Sequence, residues 1–80
     1  MGCLYMTLSS LRVDGEAVIT DITAEDGMRR RLYELGFVPD VRTRCIMRSP
    51  LGSPSAYEIC GAVIALRERD AKKILIRECD

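Results

Sequence analysis

Eighty residues, 48% of them hydrophobic and 30% charged, make one small domain and leave no room for a second domain or a deep enclosed active site. Twelve basic residues balance twelve acidic ones, which weighs against a general nucleic-acid binder, a class that carries a basic excess. No apolar run approaches the ~20 residues that span a bilayer, and Met1–Met6 lacks the charged start of a signal peptide, so a cytoplasmic chain with no membrane insertion is expected.

In chain order, residues 1–6 read as a flexible lead-in and 7–80 as the folded domain. Leu8 and Leu11 stand at i, i+3, the spacing of one helical turn resting two leucines on a core. Asp14-Gly15 is a turn signal. Glu16–Ile22 follows as a strand, apolar on both faces at first and so central or bent across the core. Thr23–Gly27 is a polar loop, and Met28–Leu35 is the clearest helix, with Met28, Leu32 and Leu35 on one face. Asp26 or Thr23 is placed to cap its start. Gly36 suits a left-handed position after its last turn, Phe37 a residue that packs back on that turn, and Pro39 bars continuation. Arg30 has acidic partners at i−4 and i+4 in Asp26 and Glu34. The run Arg29-Arg30-Arg31 spans about 200° of the helix, so one arginine should lie at the core edge.

Val41–Arg48 alternates Val41, Thr43, Cys45 and Met47 for a core against Arg42, Arg44, Ile46 and Arg48 for solvent. Such a basic stripe is one way to protect an edge strand. Then comes Ser49-Pro50-Leu51-Gly52-Ser53-Pro54, where two prolines bracket a leucine and a glycine. This predicts a stiff exposed loop with Leu51 at its tip. A rigid apolar tip is a contact point that loses little entropy on binding; the plainer alternative is that Leu51 folds back as a lid. Ala56–Cys60 and Ala62–Leu66 read as strands, the second central because it is almost wholly apolar, with a bend at Gly61. Glu68–Lys73 reads as a helical turn with Ala71 inward, and Ile74–Arg77 as the last strand. The sum is a mainly β fold, a small partly closed barrel of about five strands, with one short α-helix after the first strand and a helical turn before the last.

No catalytic constellation emerges, and no catalytic residue or cofactor is assigned. Histidine is absent, and no serine or cysteine has a base placed beside it. Cys3, Cys45, Cys60 and Cys79 are scattered, with no Cys-x-x-Cys pair, so no metal site is assigned. Cys45 and Cys60 are expected as small core residues, Cys3 and Cys79 as thiols near the ends.

Several motifs then line up in one order. They are Leu8-x-x-Leu11 with Gly15; Arg30-Arg31-Leu32-x-x-Leu35-Gly36-Phe37-Val38-Pro39; Pro50-Leu51-Gly52-Ser53-Pro54; Gly61-x-x-Ile64-Ala65-Leu66-Arg67; and Ala71-x-x-Ile74. This pattern resembles the FeoA family of ferrous iron transport accessory proteins over nearly the whole chain. The resemblance implies an SH3-like barrel and a cytoplasmic, non-enzymatic protein of iron homeostasis. It also implies a partner, FeoB, the membrane permease with a GTPase domain that takes up Fe(II). The same barrel forms the C-terminal domain of metal-dependent repressors. Two positions depart from the family pattern: Asp40 where glycine is usual, and Ser53 where aspartate is common. Asp40 should still tolerate the turn.

Leu51, Gly52 and Pro54 are accordingly assigned as the partner-binding loop, with Arg30 and Arg31 as charged rim contacts. Arg67 is expected to bridge strand and helix internally. The alternative is a nucleic-acid-binding or repressor-related interaction barrel using Arg42, Arg44, Arg48 and Arg29–Arg31, though aromatic residues for base stacking are scarce. A metal carrier built on the cysteines is a third reading, weakened by the missing histidines. Barrel edges and an apolar loop are compatible with a weak homodimer.

Overall fold

Among the described residues six antiparallel strands form one sheet, in the order Tyr5–Thr7, Ile74–Glu78, Glu16–Ile22, Arg42–Arg48, Ser55–Ile59, Ala62–Leu66. The computed structural model describes residues 5–51 and 53–78. The strands are β1 Tyr5–Thr7, β2 Glu16–Ile22, β3 Arg42–Arg48, β4 Ser55–Ile59, β5 Ala62–Leu66 and β6 Ile74–Glu78. A 3-10 turn, Leu8–Ser10, follows β1. Helix α1, Asp26–Leu35, connects β2 to β3, and the single-turn α2, Glu68–Ala71, connects β5 to β6. Among the described residues β1 and β5 are the two edges of the sheet, so the barrel is not fully closed. The mainly β, partly closed barrel expected from the sequence is the fold found, with one more strand. That strand begins inside the stretch read as a lead-in, where Tyr5, Met6 and Thr7 pair with Arg77, Ile76 and Leu75. Three residues are too few to carry a period, which is why composition did not show it. Residues 1–4, for which a lead-in was also expected, lie outside the described residues.

Two bulges set the bend of the sheet and invert which residues face inward. In β2, Ile19 pairs with Ile76 and Asp21 with Leu75, leaving Thr20 as the extra residue. The buried set therefore passes from Ala17 and Ile19 to Ile22. In β3, Cys45 pairs with Tyr57 and Met47 with Ala56, leaving Ile46 extra. Before the bulge Thr43 and Cys45 are buried as expected. After it Met47, expected in the core, is 57% exposed, and Arg48, expected in solvent, is half-buried. A slip of one residue moves every later side chain to the other face.

Strand positions also differ from the reading of the sequence. β3 is interior, between β2 and β4, and β5 is an edge with Val63 62% exposed. The apolar run of β5 matched a central strand because composition does not reveal how many neighbours a strand has. The β4–β5 hairpin turns on Cys60 and Gly61 alone, with φ of 52° and 83°, the signs of a type I′ turn. Cys60, expected inside a strand, is thus exposed at a hairpin tip, whereas Cys45 is buried as expected.

α1 ends as its sequence dictates. Gly36 has φ 109°; its N–H donates to Tyr33 O at 3.0 Å, and the Phe37 N–H donates to Leu32 O at 2.9 Å. These are the two bonds of a Schellman motif, and buried Phe37 and Leu32 lie in one core cluster. The start differs. Glu25, not Asp26 or Thr23, is the N-cap, and no side chain caps it. Thr23 Oγ1 instead donates to Lys73 O, 3.0 Å away.

The open side of the sheet is laced by polar side chains. Tyr57 Oη donates to Leu8 O at 3.4 Å, and Arg48 Nη1 donates to Ser9 O at 2.7 Å and Leu11 O at 2.9 Å. The turn after β1 is thereby tied to β3 and β4, across from its own strand. Leu8 and Leu11, fully buried, complete the core beneath it.

Candidate functional site

The loop between β3 and β4 is braced at both ends. Ser49 N–H donates to Pro54 O at 3.2 Å, Leu51 N–H to Ser49 Oγ at 3.4 Å, and Glu68 N–H to Ser53 Oγ at 3.1 Å. The last bond ties the loop to the start of α2. Leu51 is 92% exposed, which excludes the lid alternative and leaves an apolar side chain standing in solvent on a supported backbone. Pro50 and Pro54 are exposed beside it. Gly52, assigned to the same loop, lies outside the described residues.

The two arginines assigned to the rim separate. Arg31 lines a groove with Met28, Leu35, Ala65, Arg67 and Asp70, between α1, the C-terminal end of β5 and α2. Arg30 lines a different depression with Asp26, Arg29, Tyr33 and Glu34, along the outer face of α1. Arg67 is exposed and makes no ion pair within 4 Å among the described residues, so its side chain does not form the internal bridge expected of it; it is the N-cap of α2, and its carbonyl accepts from Asp70 and Ala71 N–H, each at 3.0 Å, as the first turn of that helix requires.

The basic stripe of β3 does not form. Arg48 turns inward, Arg42 pairs with Glu16 at 3.4 Å and Arg44 with Glu58 at 3.3 Å. These exposed pairs sit in cross-strand positions and neutralise the face that a nucleic-acid backbone would need. No group of three His, Cys, Asp or Glu residues converges as a metal site among the described residues. Burial raises the Cys45 thiol above its ordinary value of 9.0, as expected for a core cysteine rather than a reactive one.

Two functional details escaped sequence reasoning. Ser53 is separated from Glu68 by fifteen residues, so no local pattern announces their bond. The inward turn of Arg48 had one sign in the sequence: Ile46, an apolar residue standing among arginines in the solvent register.

A family model described as the FeoA domain matches residues 6–78. The chain belongs to the FeoA family. A fusion of Fe(2+) transport protein A with the Fe(2+) transporter FeoB, from Porphyromonas gingivalis, is 35% identical over 69 residues. The match takes in 86% of this chain and spans 8% of the fusion protein. The crystal structure of Stenotrophomonas maltophilia FeoA complexed with zinc, described as a procaryotic SH3 domain protein, is 35% identical with a TM-score of 0.79, over 89% of this chain and 88% of that one. A manganese-dependent transcriptional repressor superposes with a TM-score of 0.86 at 20% identity, over 99% of this chain and 44% of the repressor. That last likeness shows the fold alone. The SH3-like barrel is thus the fold of this FeoA domain, in a family of ferrous iron transport. No helix among the described residues is long and apolar enough to cross a membrane.

Proposed function

We propose that this FeoA domain is a cytoplasmic interaction module that docks on a FeoB-type GTPase permease and regulates Fe(II) uptake by binding, without chemistry of its own. The observation that carries the reading is Leu51, almost wholly exposed on a loop braced by hydrogen bonds to Pro54 O, Ser49 Oγ and Ser53 Oγ. An apolar contact whose backbone is already ordered loses little further freedom on binding. The fused relative supports the partner, since there the two proteins are one chain. Leu51, Gly52 and Pro54 form the contact loop. Arg31 and Arg30 are the charged rim contacts of this reading, lining separate depressions of α1.

The experiment is capture of detergent-solubilised FeoB-type permease by the tagged domain, with Leu51→Asp alongside. Wild-type capture and its loss in a variant of unchanged thermal stability is the expected result. Equal capture by both removes the loop from the interface, and capture by neither removes the permease.

A further inference from the structure

The groove beside Arg31 has the C-terminal end of an edge strand, Ala65 and Leu66 of β5, for one wall. β5 pairs with β4 and with no other strand among the described residues. Over Ala62–Leu66 it holds no charge and no proline, so two of the devices that blunt a free edge are missing from it. α1 forms the other wall with Met28 and Leu35, the latter 37% exposed. The groove encloses about 150 Å³. That is small against the roughly 300–1,000 Å³ of a small-molecule pocket, and suits single side chains of a longer ligand. Three charged residues line it: Arg31, Arg67 and Asp70. None of them is in an ion pair within 4 Å among the described residues. Two guanidinium groups against one carboxylate leave the groove net positive.

A free edge strand beside a groove that takes alternate side chains is the arrangement in which a peptide adds as a further strand. The backbone edge supplies hydrogen bonds, the groove accepts alternate side chains, and charge at the groove selects among sequences. We infer that this groove binds an extended segment of a partner protein by strand addition to β5. The segment's apolar side chains rest on Met28, Leu35 and Ala65, and a carboxylate side chain meets Arg31 and Arg67. The surface shares Arg31 with the docking proposal but excludes Leu51, and its test uses no permease, so its failure would leave the docking proposal standing.

The probe is a displayed library of random nonapeptides, selected on the immobilised full chain. Selected sequences should join Asp or Glu to Val, Ile or Leu. The synthesised winners should slow amide hydrogen exchange in Ala62–Leu66 of the wild type, and their affinity should fall about tenfold or more in the Arg31→Glu, Arg67→Glu double variant. Both side chains are exposed, and circular dichroism checks that the variant folds. No enrichment, winners without acidic residues, unchanged exchange in β5, or affinity untouched by the double variant would each overturn the inference. So would concentration-dependent protection of β5 without peptide, which would make a second copy of this chain the occupant.

Discussion

The guanidinium of Arg48 donates to the carbonyl oxygen of Leu11 across 2.9 Å, and the same nitrogen reaches Ser9 O at 2.7 Å. These bonds pass from β3 to a turn 37 and 39 residues earlier in the chain. Hydrogen bonds from a charged donor contribute about 1.5–3 kcal/mol, so Arg48→Met should lower unfolding stability by roughly 2–3 kcal/mol. Urea denaturation checks this through a lower midpoint at unchanged slope. A loss within 0.5 kcal/mol, the range of surface substitutions at about ±0.5 kcal/mol, would mean that the lacing is incidental.

Ser53 accepts the Glu68 N–H and so fills the role of a capping side chain from a distant loop. Ser53→Ala should cost about 0.5–2 kcal/mol, as loss of a cap does. Ser53→Asp should keep the bond, since a carboxylate oxygen accepts the same N–H and suits a helix start. Thermal unfolding of the two variants beside wild type separates them; equal loss in both would mean that space at residue 53, not the acceptor, matters.

Gly36 stands at φ 109°, while a Cβ there would meet Cys60 Sγ at 3.4 Å and Ile59 Cγ2 at 3.7 Å. Those are ordinary contacts, so the cost of Gly36→Ala lies in the backbone, about 1–2 kcal/mol for a side chain held in the left-handed region. Unfolding by denaturant measures it. A fully neutral result would show that the helix end relaxes to another conformation.

Burial raises two groups, the Cys45 thiol above 9.0 and the Tyr57 phenol above 10.0. For Cys45 the charge of nearby Arg48 pulls the other way, and for Tyr57 the Ser55 side chain does so. The folded state therefore holds these protons more tightly than the unfolded chain. The linked stability is complete below the ordinary pKa values and falls as pH rises through the folded ones. Stability should be flat between about pH 7 and 8.5 and decline above about pH 9. Cys45→Ala should remove the first part of that decline and Tyr57→Phe the later part; an unchanged alkaline profile in both would assign it elsewhere.

Much of the fold was legible because its signals are local. The end of α1 follows from Leu35-Gly36-Phe37 and its two bonds to Tyr33 and Leu32. The turn at Asp14-Gly15 follows from a close approach, since a Cβ on Gly15 would sit 2.9 Å from Arg12 O. Asp40 adopts φ 72°, the left-handed turn expected to survive there. The exposed Leu51 tip follows from the prolines that flank it.

What the chain alone determined was five of the six described strands, the two helical segments, the Gly36 end of α1 and the Asp14-Gly15 turn, and the family that their order marks. What only the tertiary structure decided was neighbourhood: that β5 is an edge, that Met47 leaves the core while Arg48 enters, and that Arg30 and Arg31 serve different surfaces. The physical reason is range. Turns and helix ends depend on φ and on hydrogen bonds within a few residues. Register past a bulge, and the number of strands beside a strand, depend on residues far away in the chain.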